Sequence, residues 1–217
     1  MILRHHRRTA PPADTRPLHK ICSILLQYPD DRVFTHLGTV AAALPAITDG
    51  AARQCVTRMT NWLADHTPAE ATQHYVATFD HTRRRSLHLT YYPYGDTRKR
   101  GMALLALNHI YRSAGYPAPD GELPDFLPLM LEFAALAPEP GQRMLNQCRT
   151  GLELLGDALR QVGTPYAGPV DAIRAGLPAL AQRDRDNLRA LADEGPPTEQ
   201  VGLEPFAPPE YLLGGRR

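Results

Sequence analysis

The sequence predicts an all-α fold, a single-domain bundle of about seven to nine helices, and three observations carry that expectation. Hydrophobic residues make up 43% of the 217 residues and are mainly Leu and Ala, with aromatics at only 7%. A sheet protein would draw more on Val, Ile, Thr and aromatic side chains. Apolar residues recur at helical spacing between capping and breaking residues. No stretch alternates as a half-buried strand does, and no internal repeat is present. The length suits one domain with tails.

Residues 1–16 are basic, contain proline and have little to bury, so they read as a flexible arm. The helical domain then runs over 17–194. Leu18, Ile21, Cys22, Leu25 and Leu26 share one helical face, and Tyr28-Pro29 ends the run. A second helix spans Asp30 to Leu44, and a third carries Ala51, Ala52, Cys55, Val56, Met59, Trp62 and Leu63 as one stripe. Thr67-Pro68-Ala69-Glu70 combines a capping box with proline at the first helical position. It opens a fourth helix bearing Tyr75, Val76 and Phe79. From Asp80 to Gly95 the helical period is lost and Arg83-Arg84-Arg85 appears, which predicts a long connection, and such connections are disproportionately functional. The fifth helix begins near Asp96 or Thr97, either of which can cap it, and ends before Gly115 and Pro117. Its apolar residues, from Met102 to Tyr111, point in several directions, which predicts a central position. A sixth helix runs from Pro124 to Leu136. A seventh, 141–162, sets Met144, Leu145, Cys148, Leu152, Leu155 and Leu159 on one face. Short helices follow at 169–181 and 183–194. Residues 195–217, with five prolines within 196–209, read as a flexible tail.

Several function classes are disfavoured by composition. A formal charge of +1 gives no bulk attraction to nucleic acid or to an anionic membrane. No stretch approaches the roughly 18 apolar residues of a membrane span. Arg7-Arg8 invites a twin-arginine reading, but Thr9-Ala10-Pro11-Pro12-Ala13-Asp14 stands where an apolar region would follow, so no export signal is expected and cytoplasmic residence is the default. Cys22, Cys55 and Cys148 lie far apart among apolar neighbours and read as core thiols in a reducing compartment. The nine histidines form no metal-ligand pattern, and no nucleophile elbow, phosphate loop or dinucleotide fingerprint occurs. Neither catalysis, nor a metal, nor a resident cofactor is expected.

The most informative stretch is Tyr91-Tyr92-Pro93-Tyr94-Gly95-Asp96-Thr97-Arg98-Lys99-Arg100, running into an apolar helix. Three tyrosines, a turn and a cationic run suit a surface that holds another polypeptide. With Gly101, Leu104 and Tyr111-Arg112-x-Ala114-Gly115 it resembles the signature block of the NarJ proteins. These are assembly chaperones of respiratory nitrate reductase, within the wider TorD/DmsD group of redox-enzyme maturation proteins. Glu122-Leu123-Pro124-Asp125-x-Leu127-Pro128-x-x-Leu131-Glu132-Phe133-Ala134 resembles their second signature. The wider group tends to have Asp-His where this chain has Asp125-Phe126, so the likeness is to the nitrate reductase branch. Contacts that depend on that histidine do not carry over.

The resemblance implies a TorD-like helical chaperone with one client, the nitrate reductase catalytic (alpha) subunit. The chaperone would bind the N-terminal segment of that subunit, keep it competent for insertion of the molybdenum cofactor (bis-molybdopterin guanine dinucleotide), and delay membrane docking. Its other implied partners are molybdenum cofactor delivery proteins. Nucleic acid and stable membrane association are not expected, and the chaperone would be a monomer or weak dimer. The client segment in this family is amphipathic and usually basic, so its receptor needs an apolar groove with acidic residues near the ends.

Tyr75, Phe79, Tyr91, Tyr92 and Tyr94 are candidate walls, because such rings supply large contact area at modest entropic cost. Core packing is the competing reading for each. Asp96 and Asp125 are candidates for client cations, but both are also placed to cap helices. Glu122 and Glu132 are further candidates. Glu132 lies in an apolar run and, if buried, needs a partner, for which Arg98 or Arg100 is available. Arg98, Lys99 and Arg100 oppose the dipole of the helix they open and call for an anion, internal or from the client. The rival reading is a helical regulatory or nucleic-acid-binding module that uses Arg83–Arg85 and Arg98–Arg100 as a phosphate clamp.

Overall fold

The computed structural model describes residues 14–180, 182–195 and 197. Its helices are α1 (Arg16–Leu25), α2 (Asp31–Ala43), α3 (Gly50–Ala64), α4 (Pro68–Phe79), α5 (Tyr91–Tyr94), α6 (Arg98–Ser113), α7 (Leu127–Leu136), α8 (Pro138–Gln147), α9 (Arg149–Gln161), α10 (Ala167–Ala175) and α11 (Gln182–Glu194). Among the described residues there is no strand, and only His88 and Phe126 form an isolated antiparallel bridge. The fold is all-α. The expected arm and tail, 1–16 and 195–217, lie for the most part outside the described residues.

The helix starts follow local chemistry. Asp30 caps α2 by accepting from the Arg32 and Val33 amides, and Asp49 caps α3 through Ala52 N. At α4 both halves of the capping box are present: Thr67 accepts from Glu70 N, and Glu70 reaches back to Thr67 N. No described helix is long and apolar enough to cross a membrane.

Among the described residues eleven α-helices stand where about seven to nine helices were expected, for two reasons. The connection after α4 contains the one-turn α5, and the long seventh helix breaks at Cys148 into α8 and α9. The break is silent in the sequence because Met144, Leu145, Cys148, Leu152, Leu155 and Leu159 are all buried on both sides of it. The core is built where α1 lies along α7 and α3 lies along α10, with α8 packed on α7 and α9 on α10.

Two expectations need correction. The fifth predicted helix, α6, is peripheral rather than central. It buries only Leu107 and Tyr111 and leaves Met102 68% and Leu105 63% exposed. Its scattered apolar residues reflect a face that no other described residue covers, not a surrounded helix. Cys22 and Cys148 are core thiols, but Cys55 is half-buried, its sulfur accepting from Arg58.

Candidate functional site

The segment 86–100 is held in place by Asp125, whose side chain has no solvent exposure. Its carboxylate accepts from Thr90 N at 3.2 Å and from the Thr90 hydroxyl at 2.5 Å, lies 3.1 Å from His88 Nδ1, and pairs with Arg100 at 3.5 Å. The backbones run alongside: Leu89 N donates to Asp125 O and Leu127 N to Leu87 O. Burial alone would raise the Asp125 carboxyl, but hydrogen bonds from His88 and Thr90 and the His88 and Arg100 charges outweigh it. The carboxyl is thereby held below the ordinary value. Asp125 therefore does not cap α7, whose first turn has no side-chain cap. It ties the signature segment to the start of that helix.

Outside this knot lies a shell of charge and tyrosine. Asp96 pairs with Arg83 at 3.0 Å and Arg100 at 3.6 Å. Both guanidiniums sit over the Tyr91 ring, 5.9 and 5.7 Å from its centroid. Asp96 is thus an ion-pair partner and not the cap of α6. Thr97 occupies that position, and its hydroxyl donates to Tyr94 O. These groups surround a polar cavity of about 380 Å³. Gly95 has φ +55°, and a Cβ there would meet Pro197 O at 1.9 Å, so the chain leaving α11 passes directly over this turn.

The candidate residues divide by exposure. Tyr75, Phe79, Tyr92 and Asp125 are buried. Tyr75 and Phe79 pack on each other and on Tyr166, and the Tyr92 hydroxyl donates to Arg84 O and Ser86 O. Tyr91, Tyr94, Arg100 and Glu132 are half-buried, and Asp96, Arg98 and Glu122 are exposed. Glu132 pairs with Lys20 of α1 at 2.5 Å, not with Arg98 or Arg100, because the α1–α7 packing brings that lysine to it. Three of the six cations proposed for a phosphate clamp have internal work. Arg83 and Arg100 are paired as above, and Arg85 donates to Thr78 O and Ala77 O at the end of α4.

A larger concavity, about 770 Å³, opens between α1, α3, α8 and α10. Leu18, Ile47, Ala52 and Ala172 form an apolar floor, and Asp14, Asp49 and Glu139 stand at the rim with Arg143 as its one cation. Asp14 is held by Arg16 and Asp49 caps α3. Glu139 has no ion-pair partner among the described residues. Sequence reasoning missed this groove because its walls come from four helices far apart in the chain. It also missed His88 and Thr90, whose role appears only once residue 125 is brought beside them.

Comparison with known proteins adds the following. The family model for the nitrate reductase delta subunit matches residues 44–172. The nitrate reductase-like protein NarX of Mycobacterium tuberculosis is 44% identical over 152 residues, covering 70% of this chain but only 23% of that protein. The probable nitrate reductase molybdenum cofactor assembly chaperone NarJ of Bacillus subtilis is 31% identical over 163 residues, covering 75% of this chain and 89% of that one. NarJ of Escherichia coli K12, a nitrate reductase molybdenum cofactor assembly chaperone, is 32% identical over 151 residues, 68% of this chain and 64% of that one. The crystal structure of a candidate redox enzyme maturation protein from Archaeoglobus fulgidus superposes with a TM-score of 0.57 at 20% identity, over 79% of this chain and 98% of that one. That likeness bears on the fold.

Proposed function

The chain belongs to the nitrate reductase delta subunit family, the family of the NarJ chaperones, and from that premise we propose that it is an assembly chaperone for a nitrate reductase. It captures the N-terminal segment of the catalytic subunit reversibly and keeps the apo-enzyme competent for molybdenum cofactor insertion before membrane docking. The work is binding, not bond chemistry, and takes place on the cytoplasmic side.

The observation that carries the placement of the client is the groove between α1, α3, α8 and α10. A basic amphipathic helix needs an apolar floor and an acidic rim, and this concavity has both. A second placement rests on half-exposed Tyr91, which lines the polar cavity with Asp96, and on half-exposed Tyr94 in the same one-turn helix. That face carries Arg98 and Lys99, which oppose a basic ligand.

Isothermal titration with a peptide of the client's N-terminal segment, against a scrambled control, tests the function. The variants Glu139→Lys and Asn146→Trp change the rim of the groove, while Tyr91→Ala and Tyr94→Ala probe the second surface. We expect about a tenfold weaker Kd, near 1.4 kcal/mol, for each groove variant and wild-type affinity for the tyrosine variants. The reverse pattern would move the client to the signature segment. No saturable binding by the wild-type chain would reject the chaperone reading.

A further inference from the structure

The outer face of α6 is built for a ligand of the opposite kind from the client. Residues 98–113 contain no Asp or Glu but carry Arg98, Lys99, Arg100 and Arg112. Met102 and Leu105, three residues apart on one face, are the most exposed large apolar side chains among the described residues. Arg98 and Lys99 sit in the first turn, where the helix dipole is already positive, and Arg100 alone of the three finds internal anions. An acidic and apolar occupant would satisfy this surface, and a basic peptide would not.

The chain's own course supplies one. Pro197 O rests against Gly95, three residues before α6 begins. The residues that follow, Thr198 to Leu213, include Glu199, Glu204 and Glu210 together with Leu203, Phe206, Tyr211, Leu212 and Leu213, and no Lys or Arg. At ~3.1 Å per extended residue, Leu203 reaches up to ~19 Å beyond Pro197. Met102 and Leu105 lie only ~6 and ~10 Å along the helix axis from Arg98. The geometry points to residues 198–213 of this same chain docking along α6, with Glu199 and Glu204 facing Arg98 and Lys99 and with Leu203 and Phe206 over Met102 and Leu105. The inference rests on the α6 surface and holds wherever the client binds.

The test uses methionine methyl NMR on the full chain and on a chain ending at Pro197. Met59, Met130 and Met144 are fully buried and report the fold, while Met102 reports the face. Truncation is expected to shift the Met102 methyl and raise its accessibility to a soluble paramagnetic chelate, leaving the three buried methyls in place. A synthetic 198–213 peptide added to the truncated chain should restore the original Met102 signal. Arg98→Glu with Lys99→Glu in the full chain should reproduce the truncated spectrum, and adding Glu199→Lys with Glu204→Lys should reverse that change. A Met102 signal identical in the full and truncated chains overturns the proposal. So does a signal that moves only with protein concentration, which assigns the face to a second copy, or only with anionic vesicles, which assigns it to lipid. If truncation disturbs the buried methyls, the charge-reversal pair in the full chain decides, and failure of the second pair to restore the signal overturns the proposal.

Discussion

A carboxylate sealed from water must find donors on every side, and Asp125 finds them in the Thr90 amide and hydroxyl, His88 and Arg100. Replacing it with Asn keeps the shape but leaves Arg100 and His88 without their anion. We expect Asp125→Asn to cost about 3 kcal/mol in urea unfolding, the range for breaking a buried pair. Arg100→Gln should cost less, since the other donors remain. His19 poses the opposite problem. It is buried in α1, its Nδ1 has no partner, and burial depresses its pKa to about 4. The folded state therefore holds the neutral ring, while the unfolded chain takes up a proton near the ordinary value of about 6.5. The associated stability is complete above that value and is lost as pH falls toward the folded pKa, by about 3 kcal/mol at pH 4. Between pH 7 and 4, urea titrations should show wild type losing about that much stability relative to His19→Leu, and parallel curves would refute the assignment. Residue types alone did not show either role. Asp125 precedes a helix and looks like a cap, and His19 lies on an apolar face with nothing to mark its burial.

Elements pack here through close backbone approach. Gly151 opens α9 against the backbone of Leu89, where a Cβ would stand 2.2 Å from the carbonyl oxygen. Gly151→Ala should therefore push α9 off the signature segment and cost about 2 kcal/mol or more, read as a lower melting temperature. Gly38, inside α2, meets nothing within 4 Å. Gly38→Ala should stabilise by about 0.5–1 kcal/mol through helix propensity and a less free unfolded chain. If both changes destabilise alike, the close approach at Gly151 is not the cause. Most element boundaries were legible because they are local: Asp30, Asp49 and the Thr67–Glu70 box act within three residues. What was not legible depends on distant neighbours. The apolar stripe runs unbroken through Cys148 although the helix does not. The apolar residues of α6 look like core until one sees that nothing among the described residues covers Met102 and Leu105.

At the scale of the molecule, a net charge of +1 is divided between surfaces of opposite character, an acid-rimmed groove and an all-basic helix face. Apolar burial in the groove should dominate client binding, so raising salt from 50 to 200 mM is expected to change the Kd by less than about tenfold. A phosphate clamp with six contacts would lose about 10³ over the same interval. The titration thus separates the chaperone reading from its nucleic-acid rival. The all-helical plan could be read from composition and period, and the family from two short motifs. The groove could not, because it exists only where α1, α3, α8 and α10 meet.

The Asp125 knot also bears on how the protein withstands proteases. Arg83, Arg84, Arg85, Arg98, Lys99 and Arg100 place two clusters of trypsin sites on either side of one connection, a layout that invites nicking in a loose loop. Here the residues between them are hydrogen-bonded to Asp125 and to the backbone beside it, and local opening must precede cleavage. Limited trypsin digestion should leave the connection between α4 and α6 intact in the wild-type chain. Asp125→Asn should be cut there first, at a rate that reports how often the knot comes undone.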